Sequence, residues 1–238
     1  MNIPLYVISF ERLESLRRLV NWAKWVGQEV VILDMGSTYP PLLEWYEGCG
    51  VKVHKCGRGA AGIVVNGLQK EEGRGRFYAL TDPDVIPMGY CPDDLVQHLL
   101  KGALREGVGR AGVALDITNI PNHYQHRSRA IMTEIGYWEN RIDGEWFASN
   151  VDTTFAVWDS WAPQGIPIRS NYPYVAEHTT WHLDLANLPP DEKHYVERVN
   201  RSNGWHLGYR TPPSATWSAE SRRRMEFLGV TEACECCK

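Results

Sequence analysis

FYALTDPDVIP, residues 77–87, is the stretch that decides the fold, because its apolar run stops at two carboxylates. Its first four residues, Phe77 to Leu80, are aromatic and aliphatic, which is typical of a strand covered on both faces. Pro83 has no N–H to donate to a strand ladder, so Asp82 and Asp84 are expected at or beyond the end of that strand. The sequence therefore predicts a buried strand followed by a polar turn that presents two carboxylates.

The Asp-Pro-Asp turn has two interpretations. Two carboxylates one residue apart repel each other unless a cation lies between them. Mg²⁺ and Mn²⁺ are the hard cations that keep one or two carboxylates, water and the phosphates of a substrate. Such a turn is also a common way to end a strand, and the tripeptide by itself favours that simpler interpretation. The rest of the chain decides between them.

The composition indicates a folded chain without a global basic field. The 238 residues carry a formal net charge of −4, so no overall field draws the molecule to nucleic acid or anionic membrane, although a local basic face stays open. No run of about 18 apolar residues is present, and the N-terminus lacks the pattern of a signal peptide. We therefore expect a soluble, cytoplasmic protein with six reduced cysteines and one α/β domain.

The first part of the chain alternates between strand and helix patterns. Strands are predicted at 4–10, 29–33 and 51–54, and helices at 11–26 and 40–48. The resulting order βαβαβ is typical of a mainly parallel, doubly wound sheet.

Carboxylates follow three of the predicted strands. Asp34 follows the second strand, and Asp82 with Asp84 follows the buried strand described above. Asp116 follows a short apolar run at 112–115. Ligands of open parallel sheets sit outside the carboxyl ends of the strands, so we expect these acids to converge on one edge and form a ligand site. The alternative for Asp34 is a helix cap.

The second half of the chain is less regular. Residues 151–158 alternate like a strand, with Asp152 near its start. Residues 172–182 are rich in aromatics and histidine, and their prolines and threonines argue against a helix. Short peripheral helices are predicted at 189–195 and 218–227.

Taken in order, these motifs resemble the GT-A glycosyltransferases, especially their family-2-like branch. The resemblance is carried by IPLYVI at 3–8, ILDMGST at 32–38, TDPD at 81–84, VDTT at 151–154 and AEHTTWH at 176–182. It extends from about residue 4 to about residue 183, and the ordered set is more specific than any one motif.

The resemblance implies an α/β fold of the GT-A (Rossmann-like) kind, with a mainly parallel central sheet flanked by helices and an irregular, aromatic-rich C-terminal acceptor portion. Residues 1–120 would then be the nucleotide-sugar-binding half and residues 121–238 the acceptor-binding half of one domain. A flexible Cys-rich tail would occupy about 230–238, with Cys234, Cys236 and Cys237.

The resemblance also implies roles for individual residues. Asp34 would contact the nucleotide base, Asp82 the ribose or the sugar, and Asp84 the metal. Asp152 falls where the family places its catalytic acid, so it is assigned as the general base. His178 would complete the metal shell.

Further residues are assigned to the donor, and some assignments have alternatives. Arg58 and Asp116 are expected to contact the donor, Arg58 together with Lys55 at the diphosphate or base. Asp152 is open to interpretation as a solvent-facing strand residue, and His178 as a packed side chain bonded to the backbone. For Trp181, which is able to stack a sugar or base, core packing is the simpler interpretation.

Together the assignments predict a metal-dependent glycosyltransferase that moves a sugar from a nucleoside-diphosphate sugar to an acceptor hydroxyl. Mn²⁺ or Mg²⁺ would neutralise the charge on the diphosphate, and one carboxylate base would imply inversion. A UDP-sugar is the expected donor and a glycan the first acceptor class, with no membrane span.

Two alternatives remain. The first keeps this chemistry but uses a hydroxymethylated pyrimidine in DNA as acceptor, because compact enzymes of viral origin that resemble this chain modify such bases. The basic and aromatic residues that favour it are Arg127, Arg129, Arg198, Arg201, Arg210, Arg222, Arg223, Arg224, Tyr124, Trp205, His206 and Tyr209. Interspersed acids such as Glu192 and Glu197 favour a solvated surface instead. The second alternative is a non-catalytic nucleotide-binding module.

Overall fold

The structure, a computed structural model, describes residues 3–57, 61–73, 75–151, 154–199 and 217–230. Its strands are β1 Leu5–Ser9, β2 Val30–Asp34, β3 Lys52–Lys55, β4 Phe77–Thr81, β5 Val85–Pro87, β6 Val108–Gly112, β7 Ala114–Leu115, β8 Trp146–Ala148, β9 Ala156–Asp159, β10 Ile166–Ser170 and β11 Val175–His178. Its helices are α1 Glu14–Trp25, α2 Pro40–Gly48, α3 Ala61–Glu71, α4 Leu95–Ala103, α5 Arg127–Gly136, α6 Pro190–Arg198 and α7 Ala219–Phe227.

Two sheets organise the described part of the chain. The large sheet has the strand order β3-β2-β1-β4-β9-β6-β10-β8, and the small sheet has the order β5-β11-β7. Neighbours among β1 to β4 pair in parallel, as do β6 and β10. β9 pairs antiparallel with β4 and β6, and β8 pairs antiparallel with β10. The predicted α/β class, with a mainly parallel central sheet flanked by helices, is confirmed.

Burial follows the apolar pattern of the sequence. All residues of β2 and β4 are buried. On α1, Leu16, Leu19, Val20 and Ala23 recur at helical spacing and are fully buried in the core beside Leu5 of β1. The sheet and α1 therefore pack as their periodicities predict.

The turn between β1 and α1 differs from the prediction. A helix was expected from residue 11, but α1 begins at Glu14, because Glu11 has a φ of 63° and redirects the chain. The buried Glu11 carboxylate accepts hydrogen bonds from the Thr38 and Tyr39 N–H groups, at 2.8 and 2.7 Å, just before α2. The unusual backbone of Glu11 is therefore held by the N-terminus of the neighbouring helix.

The apolar run at 112–115 is not one strand. β6 ends at Gly112 in the large sheet, and β7 begins two residues later in the small sheet. Val151 packs against Gly112 so closely that a Cβ there would lie 2.6 Å from Val151 Cγ1. The strand expected at 151–158 is also shorter than predicted, since β9 begins at Ala156.

The helix predicted at 189–195 is not peripheral. Asp191 and Glu192 of α6 are only 3% and 5% exposed. Asp191 Oδ2 accepts hydrogen bonds from the N–H groups of Leu13 and Glu14, both at 2.9 Å. α6 therefore caps the N-terminus of α1 and covers the β1–α1 turn.

Two features discussed in the sequence analysis, membrane-spanning segments and cysteines, can be compared with the structure. Among the described residues, no helix combines the length and apolar character needed to cross a bilayer. Cys49, Cys56 and Cys91 are free thiols, whereas the cysteine tail lies outside the described residues.

Candidate functional site

The carboxyl ends of β1, β2 and β4 form one edge of the large sheet. Ser9 pairs with Asp34, and Val7 pairs with Thr81, so the turns after β2 and β4 leave the sheet on the same side. Only β1 separates them, which corresponds to a spacing of about 10 Å between strand axes. The predicted convergence of Asp34 with the Asp82 and Asp84 turn is therefore observed.

The small sheet adds Asp116 and His178 to this edge. β11 runs antiparallel to β5, which places His178 opposite Val85, and parallel to β7, which ends just before Asp116. The Thr179 N–H donates to the Asp84 carbonyl at 2.8 Å, and the Asp116 N–H donates to the Ala176 carbonyl at the same distance. Backbone pairing thus joins three separate parts of the sequence.

Asp34 is fixed at the end of β2. Its Oδ1 accepts a hydrogen bond from the Ser37 N–H at 2.9 Å, and the Tyr46 hydroxyl lies at 3.4 Å from the same oxygen. The Tyr46 hydroxyl also lies 2.8 Å from Ser9 Oγ, and burial raises the pKa of this phenol. Asp34 therefore shapes its own turn, and both of these contacts use a single carboxylate oxygen.

Asp84 and His178 lie close together. His178 Nδ1 is 3.6 Å from Asp84 Oδ2, and the Asp84 carboxylate is 3% exposed. The same Oδ2 accepts a hydrogen bond from Arg12 Nη1 at 2.7 Å. Burial raises the pKa of Asp84, but Arg12 and His178 outweigh it, so the pKa lies below its ordinary value. Asp84 is therefore ionised at neutral pH.

Arg12 is itself buried between α6 and the Asp84 turn. Its guanidinium carbon lies 3.9 Å from the centre of the Tyr195 ring, and its Nε lies 3.3 Å from Glu192 Oε1. Burial lowers the pKa of Arg12, but the negative charges of Asp84 and Glu192 raise it by more, so the pKa of Arg12 lies above its ordinary value. We call Arg12, Asp84, Glu192 and Tyr195 the Arg12 cluster.

Asp116 is buried and fully engaged. Its Oδ1 accepts hydrogen bonds from the Thr118 N–H and hydroxyl, at 2.7 and 2.6 Å, and its Oδ2 accepts one from the Tyr90 hydroxyl at 2.7 Å. Burial and Asp116 raise the pKa of Tyr90, and they also raise that of Tyr172 to about 12. Both phenols therefore stay protonated and act as donors at neutral pH.

An aromatic stack leads from Asp116 to a cleft. Tyr172 stacks between Tyr90 and Trp138, with ring centres 6.4 and 5.7 Å away. A cleft of about 350 Å³ opens beside this stack, lined by Thr118, Trp138 and Tyr172 and by residues of α7 that include Arg223. Its size and mainly apolar lining with few polar groups are typical of small-molecule sites.

No protein-family model matches the chain, and no curated protein sequence matches it. A mannosyltransferase from Pyrobaculum calidifontis, solved in complex with GDP-Man and Mn²⁺, is similar in structure with a TM-score of 0.46 and 10% identity; the match covers 83% of this chain and 60% of that one. CMP:2-keto-3-deoxy-manno-octonic acid synthetase complexed with CTP has a TM-score of 0.40 and 12% identity, over 69% of this chain and 76% of its own.

A third similar structure is S. aureus TarS 1-349, with a TM-score of 0.37 and 14% identity over 67% of this chain and 47% of its own. This chain therefore spans less than two thirds of the mannosyltransferase and TarS chains.

The donor set at Asp84 and His178 fits a divalent cation that a ligand helps to hold. A carboxylate oxygen and an imidazole nitrogen suit Mn²⁺, and carboxylate oxygens suit Mg²⁺. Within the described ranges, no group of three or more His, Cys, Asp or Glu side chains is arranged around one cation position. The remaining positions would therefore belong to phosphate oxygens and water.

Other residues that the sequence analysis assigned to the site differ in where the structure places them. Lys55 pairs with Asp34 in register and is exposed at the same edge. Trp181 is 1% exposed and packs in the core. Arg58 and Asp152 lie outside the described residues, so their roles stay predictions.

The residues named for DNA binding are scattered in the described part. Tyr124 is 2% exposed, and Arg198 contacts Glu197 at 3.2 Å, so neither is a free surface contact. Arg222, Arg223 and Arg224 are exposed on α7, and Arg223 and Arg224 line the cleft. Arg127 and Arg129 are half-buried on α5, where the Arg127 Nε–H donates to the Ile120 carbonyl at 3.0 Å. Arg201, Trp205, His206, Tyr209 and Arg210 lie outside the described residues.

Sequence reasoning missed Arg12, Glu192, Tyr195 and Tyr90. Arg12 lies in the charged run ERLESLRR, which has the pattern of an exposed helix, and Glu192 was interpreted as a solvated surface acid. Their burial depends on where α6 packs, and no local periodicity reports that position. Tyr90 carried no signal beyond its place soon after the Asp84 turn.

Proposed function

We propose that this chain is a nucleotide-sugar-dependent glycosyltransferase that moves a sugar to an acceptor hydroxyl. The observation that carries the proposal is the convergence of Asp34, Asp84, Asp116 and His178 on one sheet edge. Open α/β sheets bind ligands at this edge, and carboxylates beside an imidazole suit a cation bound to phosphates.

The donor is proposed to lie along the ends of β2, β3 and β4. Asp34 would contact the nucleotide base, with Lys55 beside it as a source of positive charge. Asp82 would contact the ribose or sugar, and Arg58 the diphosphate. We propose a UDP-sugar as the donor, in keeping with the family that the sequence resembles.

Asp84 and His178 would hold the metal, Mn²⁺ or Mg²⁺. When bound, the cation neutralises the charge that develops on the leaving diphosphate. The hydrogen bond from the Thr179 N–H to the Asp84 carbonyl supports this role, because it joins the two backbone segments that carry these side chains. Asp84 is also already ionised, so no proton has to leave it when a cation binds.

The cleft beside the aromatic stack is proposed to take the acceptor. Asp116 directly precedes Ile117 and Thr118, which line this cleft, but Thr118 and Tyr90 already donate to both of its oxygens. We therefore assign it to positioning the donor rather than to accepting a proton.

We propose Asp152 as the general base that accepts the proton of the attacking hydroxyl. Its described neighbours support this role: Val151 packs on Gly112, and the Phe155 carbonyl accepts a hydrogen bond from the Val113 N–H at 2.8 Å. Both contacts lie just before β7, the strand that leads to Asp116. Attack assisted by one base, opposite the leaving diphosphate, inverts the anomeric centre.

A glycan is the first acceptor class, because aromatic side chains and a few polar groups line the cleft. A hydroxymethylated pyrimidine in DNA is the second, favoured by the exposed Arg223 and Arg224 of α7, which line the cleft. A non-catalytic nucleotide-binding module is the alternative of another class.

The test is release of nucleoside diphosphate from a panel of UDP-, GDP- and ADP-sugars with Mn²⁺ and with EDTA. Parallel reactions contain a mixed glycan, unmodified DNA or hydroxymethylcytosine DNA. Metal-dependent release that rises with one acceptor supports the proposal and identifies the acceptor class. Nucleotide-sugar binding without release under any condition would support the binding module instead.

A further inference from the structure

Asp84 already has a cationic partner within the protein. Arg12 Nη1 donates to Asp84 Oδ2 at 2.7 Å, and the two side chains are only 6% and 4% exposed. A charge-assisted hydrogen bond in such a buried place is strong, because little water competes for either group. The carboxylate proposed as a metal ligand is therefore occupied by a guanidinium in this conformation.

α6 holds the guanidinium against Asp84. Tyr195 covers one face of the Arg12 guanidinium at 3.9 Å, and Glu192 Oε1 lies 3.3 Å from Nε. The Arg12 Nε–H nevertheless makes no geometrically sound hydrogen bond with the described residues. Arg12 is therefore placed by charge and ring contact but is not fully hydrogen-bonded.

His178 faces the same oxygen. Its Nδ1 is 3.6 Å from Asp84 Oδ2, the atom to which Arg12 donates. A cation shared by Asp84 Oδ2 and His178 would approach the guanidinium closely, and two cations in a buried site repel each other strongly. Arg12 and a divalent cation are thus unable to use this oxygen together.

More than one carboxylate faces Arg12. Its guanidinium lies against the buried carboxylates of Asp84 and Glu192, and Asp82 is near enough to add to the rise in the pKa of Arg12. A divalent cation carries twice the charge of a guanidinium, so at the same distance it would attract the Asp84 carboxylate more strongly.

We infer that Arg12 and a divalent cation are alternative counter-ions of Asp84, so that Arg12 sets the metal affinity of this edge. Without metal, Arg12 neutralises Asp84; with metal, Arg12 withdraws and keeps Glu192 as its partner. Arg12 is in this sense a positioning residue. The inference rests on the proposed function in taking Asp84 as a metal ligand.

The test is the affinity of the donor-free, full-length protein for Mn²⁺, measured from the electron paramagnetic resonance signal of free Mn²⁺. We expect Arg12→Met to lower the dissociation constant at least about tenfold, because it removes the competing conformation. Arg12→Lys keeps the positive charge but loses the planar guanidinium, so its Mn²⁺ dissociation constant should lie between those of wild type and Arg12→Met. Arg17→Met is the matched control, since Arg17 is exposed on α1, which begins two residues after Arg12, and pairs with Glu14.

Equal or weaker Mn²⁺ binding by Arg12→Met would overturn the inference. If that variant fails to fold, Arg12→Lys decides by the same comparison with wild type. The double variant Arg12→Met with Asp84→Asn should lose the gain in affinity, and a gain that persists would also overturn the inference. Metal-dependent donor turnover by wild type, together with unchanged Mn²⁺ affinity in Arg12→Met, would refute this inference alone. Tighter Mn²⁺ binding by Arg12→Met, together with no donor turnover by wild type, would refute the proposed function.

Discussion

Ion pairs between side chains of this protein differ in how much water they exclude. Arg169 donates from Nη1 to Glu134 Oε2 at 3.0 Å, and both side chains are at most 6% exposed. Arg105 makes a similar contact with Asp143 at 2.7 Å, but both side chains are more than a third exposed. Burial, more than distance, decides what each pair contributes to stability.

We therefore expect Arg169→Met to lower the free energy of unfolding by about 3–5 kcal/mol, because it leaves the Glu134 carboxylate buried without its cation. Arg105→Met should cost less than about 1 kcal/mol. Urea unfolding followed by circular dichroism measures both values. Similar losses in the two variants would contradict the burial argument.

The stability of the folded protein should also depend on pH through Asp84 and Asp159. Burial raises the pKa of each carboxyl, but Arg12 and Arg76 respectively outweigh it, so both pKa values are below the ordinary value in the folded state. The unfolded chain then binds protons more readily than the folded one. The stabilisation is complete above the ordinary carboxyl pKa of about 4 and is lost as the pH falls through the folded-state pKa values.

The measurement is the free energy of unfolding at a series of pH values from neutral to about pH 3. We expect a decline that begins near pH 4, and a shallower decline in Asp159→Asn, which removes one titrating group. An identical pH dependence in that variant would show that Asp159 is not a contributor.

At the level of elements, α6 is the part whose position matters most for the site. Five of its residues contact the segment between β1 and α1: Asp191 caps α1, Glu192 and Tyr195 hold Arg12, and His194 and Arg198 lie 3.4 and 4.0 Å from Glu11. These contacts join a helix near residue 190 to the first turn of the chain. Through the hydrogen bond from Arg12 to Asp84, they are connected to the edge at which the donor is proposed to bind.

Removing the cap should loosen this arrangement. We expect Asp191→Ala to lower the free energy of unfolding by about 1–2 kcal/mol, since two N–H groups of α1 lose their acceptor. Glu197→Ala on the exposed face of α6 is the control and should change stability little. Thermal or urea unfolding compares them, and equal stabilities would mean that water replaces the cap without cost.

The elements show which features the sequence was able to predict. β1, β2 and β4 were predicted because their residues are apolar without interruption, and the acids at their ends follow from the geometry of a parallel sheet. α6 was predicted as a helix but placed wrongly, because its buried side is made of Asp191, Glu192 and Tyr195, a set that has no apolar periodicity. Its burial comes from pairing with distant charges, which only the tertiary structure reveals.

The same limit applies to the site. Asp34, Asp84 and Asp116 were predicted as neighbours, whereas Arg12 was not, although it touches Asp84 directly. The division of the run at 112–115 between two sheets was also missed, because it depends on the close contact between Gly112 and Val151. Long-range packing against a residue that is nearly 40 positions away leaves no local pattern.

At the scale of the whole molecule, β9 connects the two halves of the sequence. It lies between β4 and β6 and pairs with both, although it comes more than 40 residues after β6 in the chain. The strands before residue 120 therefore form a continuous sheet only when the later part of the chain is present.

A fragment of residues 1–120 should accordingly fail to fold cooperatively. Without β9, β4 and β6 each lose a neighbour and expose unpaired edges. Relative to the full chain, we expect a broad urea transition and more binding of a fluorescent dye that recognises exposed apolar surface. A sharp transition like that of the full chain would show that the first half folds alone.

The central claim is that the carboxyl edge of the sheet carries metal-dependent sugar transfer, and the most direct test is donor turnover by Asp84→Asn. The control is Asp184→Asn, the same change at an exposed aspartate after the Thr179–His182 turn. With a nucleotide sugar and Mn²⁺, we expect wild type and Asp184→Asn to release nucleoside diphosphate. The rate of release by Asp84→Asn should be at least about a hundredfold lower, because a neutral amide replaces a metal-holding carboxylate. Wild-type turnover by a folded Asp84→Asn protein would contradict the account.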